Sequence, residues 1–349
     1  MNPYELIDKL RERHLLSEEE FITLIACHEQ KKIRDYACSA AREVQKKYYG
    51  NKVYIRGLIE FTNYCKNDCF YCGIRAGNAS ALRYRLTKEE ILQCCEQGYG
   101  LGFRTFVLQG GEDPYYSDEK IVDIVQTIRA KYPDCAITLS IGEKSYESYL
   151  AYYRAGADRY LLRHETADYA HYQKLHPPAL QWKVREKCLY DLKKIGYQVG
   201  SGFMVGSPYQ SARSLAADMK FLHLLAPHMV GIGPFISHRD TPFAGYENGT
   251  FQLTVFMIAL VRLMLPNALI PSTTALGTIF SDGREQAIVC GANVIMPNLS
   301  PVDVRAKYAL YDNKLHSGKE AAEHKALLEE SMKAIGYEIV VDRGDCKKI

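Results

Sequence analysis

The chain has 349 residues, of which 47% are hydrophobic and 24% charged, and its net charge is +3. This length suits one large domain, since a (βα)8 barrel typically takes about 250 residues. Positive and negative residues are well mixed, and the longest apolar runs fall short of the roughly 20 residues that a membrane helix needs. With no apolar leader at the N-terminus, we expect a cytoplasmic protein with no nucleic-acid partner and no membrane association.

The first 50 residues have the periodicity of helices. The run Ser17-E-E-Glu20 has the pattern of a capping box, and Ile33 to Tyr49 continues the helical spacing of apolar residues. The sequence therefore predicts an N-terminal helical extension over residues 1–50.

From residue 51, short apolar strands alternate with helical stretches. The predicted strands are Val53–Phe61, Thr105–Gln109, Ala136–Ser140, Arg159–Arg163, Gln198–Phe203, Met229–Ile232, Ala268–Thr273 and Asn293–Met296. The predicted helices are Lys88–Tyr99, Asp118–Lys131, Ser145–Ala155, Lys183–Ile195, Ser211–Leu225, Leu253–Leu265 and Gly283–Cys290. This alternation predicts an α/β fold, a (βα)8 TIM-type barrel over residues 51–311, with an open doubly wound sheet as the alternative. Residues 312–349 form a polar, mostly helical tail that we expect to pack on the barrel and to include a short strand at Glu338–Val341.

Polar residues collect where the predicted strands end, which is where barrel active sites lie. Glu60 and a cysteine-rich run follow the first strand, Gln109-G-G-E-Asp113 the second, and Arg163-H-Glu165 the fourth. We expect these strand ends to converge on one mouth.

The cysteine-rich run Asn63-Y-C-K-N-D-C-F-Y-C-G-I-Arg75 places Cys65, Cys69 and Cys72 at C-x3-C-x2-C spacing, with Tyr71 before the last cysteine. Three thiolates can hold three irons of a [4Fe–4S] cluster and leave the fourth iron open. A structural zinc site is the alternative, but zinc needs four ligands and this loop supplies three. Disulfides are not indicated, and we expect the other cysteines, including Cys38 and Cys290, to be unpaired thiols.

These residues resemble the radical S-adenosylmethionine (SAM) superfamily and, within it, the HydE-type maturases of FeFe-hydrogenase. The resemblance spans roughly residues 53 to 311. Besides the cysteine loop, it rests on Leu108-Q-G-G-E-D-P-Y-Tyr116, Tyr160-L-L-R-H-E-T-Ala167, Val230-G-I-G-P-F-Ile236 and Gly291-A-N-V-I-M-P-Asn298.

The resemblance implies a radical SAM enzyme with one [4Fe–4S] cluster. Such an enzyme reductively cleaves SAM to a 5′-deoxyadenosyl radical, with electrons from a one-electron donor such as ferredoxin or flavodoxin. The family's reaction belongs to the assembly of the di-iron subcluster of the hydrogenase H-cluster. Its substrate is a small organometallic or cysteine-derived compound, here expected to be an Fe(CO)2(CN)(cysteine) precursor. Other hydrogenase maturases are possible partners.

The resemblance also assigns site residues. Cofactor-binding residues are Tyr71, Gly110, Gly111, Glu112, Glu165, Arg185 and Met204, while core packing is the alternative for Met204. Candidate substrate residues are Thr138, Arg159, Arg163, Thr273, Thr274, Met296, Tyr308 and Tyr311.

Two of these residues, Arg159 and Arg163, are four apart on one predicted strand and hence on one side of it. A buried arginine is costly unless paired, so we expect at least one to meet a substrate anion. The alternative is a salt bridge to Asp158, Glu112 or Asp113. The residue after Arg163, His164, is expected to be a packed, hydrogen-bonded histidine.

The sequence departs from the family pattern in two places. Some relatives carry a second cysteine trio after the barrel, but Asp312–Lys325 contains no cysteine, which predicts a single cluster. Gly110 stands where relatives can have serine. The alternative functions are a mutase similar to methylornithine synthase, biotin synthase, and a non-catalytic iron–sulfur scaffold or carrier.

Overall fold

Parallel strands and intervening helices make up most of the computed structural model, which describes residues 1–315 and 321–347. The helices are α1 (Pro3–Arg13), α2 (Glu18–Ile25), α3 (Lys31–Tyr49), α4 (Lys88–Gly100), α5 (Asp118–Lys131), α6 (Tyr146–Ala155), α7 (Tyr169–Leu175), α8 (Trp182–Ile195), α9 (Ala212–Leu225), α10 (Phe251–Met264), α11 (Thr274–Ile279), α12 (Gly283–Val289), α13 (Val302–Arg305) and α14 (Ala321–Ala334). The strands are β1 (Lys52–Ile55), β2 (Gly57–Thr62), β3 (Thr105–Gly110), β4 (Ala136–Ser140), β5 (Arg159–Leu161), β6 (Gln198–Ser201), β7 (Met204–Val205), β8 (Met229–Val230), β9 (Gly233–Pro234), β10 (Pro271–Ser272), β11 (Val294–Ile295) and β12 (Glu338–Val340).

The strands close into a parallel barrel. One sheet has the order β2-β3-β4-β5-β6-β8, and a second contains β10-β11-β1. Strands β1 and β2 are halves of one extended segment on either side of Arg56, whose backbone N–H donates to the carbonyl of Ile295 at 2.9 Å. A parallel bridge between Met229 and Leu269 joins the sheets on the other side. The predicted (βα)8 barrel is confirmed, and the open-sheet alternative is wrong.

Predicted and observed bounds agree closely in the first half of the barrel and less well in the second. Helix α5 and strand β4 have the predicted ends, whereas the strand predicted at Ala268–Thr273 is regular only at Pro271–Ser272. Pro271 and Pro297 lack the N–H that a continuous ladder needs. The last strands therefore pair through short ladders and isolated bridges.

The N-terminal helices pack against the outer helices of the barrel. Helix α2 begins with the predicted capping box, in which Ser17 and Glu20 exchange hydrogen bonds between side chain and backbone. It packs on α9, while α1 and α3 pack on α10. Within the described ranges, no helix is both long and apolar enough to cross a membrane.

A disulfide links this extension to the barrel layer. Cys38 of α3 is bonded to Cys290 at the end of α12, with the two Cα atoms 4.3 Å apart. The expectation that both were unpaired thiols is therefore wrong. The two cysteines are 252 residues apart in sequence, and the packing of α3 beside α12 brings them together.

The tail closes the amino end of the barrel. Strand β12 pairs in parallel with β1, with Val53 opposite Ile339. Beyond it, the carbonyl of Arg343 accepts a hydrogen bond from the hydroxyl of Thr105, at the start of β3, at 2.7 Å. Gln198, at the start of β6, donates to the carboxylate of Asp345 at 2.8 Å. The tail thus contacts the first residues of several strands.

Arg159 belongs to this closed end and not to the mouth. Its guanidinium is fully buried and lies 2.6 Å from the carboxylate of Asp345, which is none of the partners expected from sequence. Strand β5 ends at Leu161, so Arg159 and Arg163 do not share a strand face as predicted. The structure therefore places the two arginines in different environments, with Arg159 at the amino end of its strand.

Replacing Asp345 with Asn should destabilise the fold. Removing one member of a buried ion pair leaves the other charge uncompensated, and because Asp345 is 41% exposed we expect a loss of about 2 kcal/mol in the free energy of unfolding. Burial alone would raise the pKa of Asp345, but the Arg159 guanidinium holds it well below its usual range. The wild-type protein should therefore lose this stabilisation as the pH falls below about 4.

Denaturant titration at neutral and acidic pH measures both effects. Glu338→Gln removes a carboxylate from the same tail at an exposed position and is the matched control. Equal stability of the Asp345 and Glu338 variants at neutral pH would contradict the assignment.

Candidate active site

The cysteine loop lies between β2 and α4, and two polar side chains hold its shape. The amide of Asn63 donates to the carbonyls of Leu82 and Lys307 at 2.8 and 2.7 Å. The guanidinium of Arg83 donates to four backbone carbonyls of the loop, including that of Ile74 at 2.8 Å. Such multiple backbone contacts fix a loop that has no regular structure of its own.

The three loop thiols are free and electrostatically coupled. Burial raises the pKa of Cys65 and Cys69, and it raises the pKa of Cys72 to about 12, with neighbouring thiols adding to the effect at Cys69 and Cys72. Without a bound cation the thiols therefore stay protonated at neutral pH. Among the described residues, no group of Cys, His, Asp or Glu side chains is placed to hold a single metal ion. An iron–sulfur cluster instead spreads its thiolate ligands over separate irons.

The glycine turn after β3 packs directly on this loop. A Cβ at Gly111 would lie 2.2 Å from the carbonyl oxygen of Tyr64 and 2.8 Å from the Cβ of Cys65. At Gly110 a Cβ would lie 2.8 Å from a methyl carbon of Thr62. The backbone N–H of Glu112 donates to the sulfur of Cys65 at 3.4 Å. The absence of side chains at these glycines lets the turn and the loop share one backbone layer.

The carboxylate of Glu112 points along the rim. It accepts from the backbone N–H of Glu143 at 2.9 Å and lies 3.4 Å from the ammonium of Lys66. Its side chain covers Gly142, where an added Cβ would lie 2.1 Å from the Cγ of Glu112. The turn therefore presents mainly backbone groups beside Cys65.

Glu165 follows β5 in a left-handed backbone conformation, with φ of +66°. Its carboxylate lies 3.1 Å from the guanidinium of Arg163, at an angle that makes no hydrogen bond. One carboxylate oxygen of Glu165 and two nitrogens of Arg163 are buried without a partner in the protein. Buried polar atoms nearly always have partners, so these atoms are positioned for a ligand.

Arg185, on the first turn of α8, connects neighbouring rim segments. It donates to the carbonyl of Arg163 at 2.7 Å and pairs with the carboxylate of Glu143. Its charge also lowers the pKa of Cys69 and of Tyr71, against the dominant effect of burial. Arg185 therefore lies close enough to the cysteine loop to act on its thiols.

Aromatic and apolar side chains cover the outer side of the loop. The hydroxyl of Tyr71 lies 3.2 Å from Nε2 of His176. Met204 is buried in a cluster with Phe235 and Phe243, against which Tyr71 also packs. Met204 thus packs in an apolar cluster that adjoins the cysteine loop through Tyr71.

The other strand ends contribute a second group of predicted residues. Thr273 is the N-cap of α11 and its hydroxyl is buried without a partner, while Thr274 begins the helix. Tyr308 is buried, and its hydroxyl accepts from Gln109 at 3.4 Å. Burial raises the pKa of Tyr311 to about 12.

Two further candidates belong to β4 and to the end of β11. The hydroxyl of Thr138, within β4, is buried without a partner. Met296 follows β11 and is half-buried against Tyr54 and Met229. Thr138 thus lies in the middle of its strand and Met296 at the carboxyl end, whereas Arg159 is the first residue of β5.

The structure also reveals a polar partner at the mouth that sequence reasoning missed, the ammonium of Lys314. Glu60 is buried and accepts from the ammonium of Lys314 at 2.5 Å and from the amide of Asn298 at 2.7 Å. The Lys314 ammonium also lies over the ring of Tyr308, 4.7 Å from its centroid. A lysine in a polar tail gives no local signal of such burial.

Comparisons with known proteins agree with this site. Residues 59–222 match the model of the Radical SAM superfamily. The chain is 44% identical over 317 residues to the [FeFe] hydrogenase maturase subunit HydE of Thermotoga maritima, covering 90% of this chain and 89% of that protein. It is 31% identical over 310 residues to the 3-methylornithine synthase of Methanosarcina barkeri, covering 88% and 87%.

Solved structures show the same fold. The crystal structure of methylornithine synthase (PylB) superposes with a TM-score of 0.84 at 28% identity, over 96% of this chain and 97% of that one. A structure of HydG, a maturase of the [FeFe]-hydrogenase, gives 0.80 at 20% identity, over 97% and 76%. This protein is a radical SAM enzyme. It belongs to the HydE-type branch of the radical SAM superfamily.

The residues present fit the cofactors of that superfamily, a [4Fe–4S] cluster and SAM. Three free thiols lie on one loop, and the Glu165 carboxylate and Arg163 guanidinium, whose buried atoms make no hydrogen bond, lie on the same rim. SAM carries an ammonium and a carboxylate, which are the complementary charges. The donor set and the unpaired charges are therefore suited to both groups.

Replacing Gly111 with Ala should disturb cluster binding. The added methyl would collide with the backbone of Tyr64 and with Cys65, which displaces the first thiol of the loop. We expect iron bound per chain after anaerobic reconstitution to fall by roughly half or more. Gly100→Ala, where a Cβ meets nothing within 4 Å, is the control. Wild-type iron content in the Gly111 variant would show that the turn does not shape the loop.

Proposed function

We propose that this enzyme reductively cleaves SAM and acts in the assembly of the di-iron subcluster of the FeFe-hydrogenase active site. The main support is the 44% identity to a HydE maturase over 90% of the chain. The free thiol trio at the carboxyl rim of the barrel is consistent with it.

Cys65, Cys69 and Cys72 would hold a single [4Fe–4S] cluster. When bound and reduced, the cluster supplies the electron that splits SAM into methionine and a 5′-deoxyadenosyl radical. The backbone of Gly110, Gly111 and Glu112 presents N–H and C=O groups beside Cys65, where it would bind the amino group of SAM. The role of the loop, the turn and Arg83 is to orient these groups before reaction.

The charged residues of the rim would bind the polar ends of SAM. Glu165 offers an unpartnered carboxylate oxygen to the ribose or amino side. Arg185 would pair with the SAM carboxylate, since a guanidinium suits bidentate contact, and Tyr71 and Met204 would line the adenine side. Arg185 already pairs with Glu143, so binding by this arginine requires it to share or exchange that partner.

The substrate would enter below SAM, into the barrel. Buried hydroxyls without partners at Thr138 and Thr273, together with Arg163, provide hydrogen-bond donors for a small anionic compound. We propose an Fe(CO)2(CN)(cysteine) precursor. Thr274, Met296, Tyr308 and Tyr311 would complete the wall, whereas Arg159 is already neutralised by Asp345 at the far end.

Three further proposals concern cofactor number and partners. We propose a single cluster because Asp312–Lys325 has no cysteine, although residues 316–320 of that segment lie outside the described residues. A ferredoxin or flavodoxin would supply the electron, and other hydrogenase maturases would supply or receive the organometallic compound. The division into extension, barrel and tail at residues 50 and 311 also stays a prediction.

A second candidate is a mutase similar to methylornithine synthase. Its support is the 31% identity to such an enzyme over 88% of the chain and the TM-score of 0.84 to PylB. A non-catalytic iron–sulfur scaffold is the third, and SAM cleavage separates it from both enzymes.

Replacing Cys69 with Ala should abolish the reaction. The reconstituted wild-type protein should bind about four irons, whereas the variant should lose the cluster absorbance and all 5′-deoxyadenosine production. Cys27→Ala is the control because Cys27 lies in the N-terminal extension, outside the cysteine loop, where its thiol donates to the carbonyl of Thr23. Retained 5′-deoxyadenosine production in the Cys69 variant would refute the ligand assignment, and about eight irons in the wild type would refute the single cluster.

The decisive experiment distinguishes the substrates. The reduced, reconstituted enzyme is mixed with SAM alone, with the cysteine-bound iron–carbonyl–cyanide complex, or with lysine. We expect the complex to increase 5′-deoxyadenosine formation and to give a new iron-centred EPR signal. Stimulation by lysine and not by the complex would establish the mutase alternative instead.

A further inference from the structure

The backbone of Glu165 is held in a conformation that a glutamate rarely adopts. Its φ of +66° lies in the left-handed region, which is unfavourable for residues with a Cβ. Its N–H donates to the carbonyl of Gly202 at 3.0 Å, and its carbonyl accepts from the N–H of Met204 at 3.2 Å. These two bonds attach Glu165 to the end of the next strand, and the N–H of Thr166 donates to the carbonyl of His164 at 2.8 Å, which closes a tight turn around Glu165.

One buried side chain fixes both sides of that turn. Asp218, on α9, is fully buried, and its Oδ1 accepts from the N–H of Ala167 at 2.5 Å. The same oxygen lies 3.2 Å from Nε2 of His164, which is also fully buried. Asp218 therefore contacts the residue before Glu165 and the second residue after it.

The hydrogen bonds around His164 define its orientation. The Ser201 hydroxyl donates to the carbonyl of Leu162 at 3.1 Å, so its oxygen accepts from Nδ1–H of His164 at 2.9 Å. Because the ring proton is on Nδ1, Nε2 faces Oδ1 of Asp218 as the second ring nitrogen, and a single proton lies between these two atoms. Burial raises the pKa of Asp218 and lowers the pKa of His164, which favours the uncharged pair. The predicted packed histidine is thus confirmed, with a specific partner on α9.

We propose that Asp218 is a positioning residue for SAM, holding Glu165 in its strained conformation through His164 and Ala167. The inference rests on the proposed function, in which Glu165 contacts SAM. None of these three residues needs to touch SAM. Their contacts direct the unpartnered carboxylate of Glu165 toward the mouth and prevent the turn from relaxing to an ordinary backbone conformation.

The test replaces Asp218 with Leu, which fills similar space without polar atoms. We expect the KM for SAM in 5′-deoxyadenosine formation, and the Kd for SAM, to rise about tenfold or more, while kcat at saturating SAM and iron content stay near wild type. Ser214→Ala is the matched control. Ser214 is a buried residue of the same helix that bonds to Asp168 and not to the turn. It should lower stability without changing the KM for SAM.

Two further variants keep the test decisive if the Leu variant does not fold. Ser201→Ala removes the partner of His164 Nδ1 together with the hydrogen bond to the carbonyl of Leu162, leaves Asp218 in place, and should raise the Kd for SAM by a smaller factor. Glu165→Gln should raise it at least as much as either. Wild-type SAM affinity in folded, iron-loaded Asp218 and Ser201 variants would overturn the positioning role, as would wild-type affinity in the Glu165 variant. If the wild-type enzyme binds SAM but does not cleave it, the proposed function is refuted instead. The two outcomes can be told apart because SAM binding is measured separately from cleavage.

Discussion

The parallel direction of all barrel strands is the constraint on which the site depends. Because each strand is followed by a helix that returns the chain to the same starting side, every carboxyl end opens at one rim and every amino end at the other. Loops of no regular structure accumulate at the carboxyl rim, where the cysteine loop and the turn at Gly111 share one backbone layer. The amino rim has short connections and is covered by the tail from β12 onward. The candidate active site and the tail that closes the barrel therefore lie at opposite ends of one core.

Buried charges at both ends of the barrel are neutralised by residues of the tail. At the amino end the Arg159 guanidinium is neutralised by Asp345, and at the mouth Glu60 is neutralised by Lys314. Each partner comes from the segment after the barrel, so that segment supplies counter-charges to the interior. The contact between Arg163 and Glu165 is different, because buried atoms of both remain without a hydrogen bond. Buried polar atoms without hydrogen bonds lower the stability of a protein. A ligand with complementary charges would supply the missing hydrogen bonds.

Local patterns in the sequence were sufficient to predict the barrel and the position of the cysteine loop at its rim. Helix α5 and the capping box at Ser17 follow from spacing alone, and the cysteine loop is recognisable from three residues. The partner of Arg159 was missed because Asp345 lies 186 residues away, and no periodicity connects them. The disulfide between Cys38 and Cys290 was missed for the same reason. The length of β5 also differs from the prediction. Because β5 ends at Leu161, the alternation of side chains along a strand does not relate Arg159 to Arg163.

The position of β12 has a consequence for biosynthesis. A ribosome releases the chain from its N-terminus, and domains generally fold as their residues emerge. Until Glu338–Val340 has been translated, the edge of β1 at Lys52–Tyr54 has no partner on that side. Until Asp345 follows, the guanidinium of Arg159 lacks its counter-charge. The floor of the barrel therefore cannot be completed until the tail has been translated, after all the strands of the barrel itself.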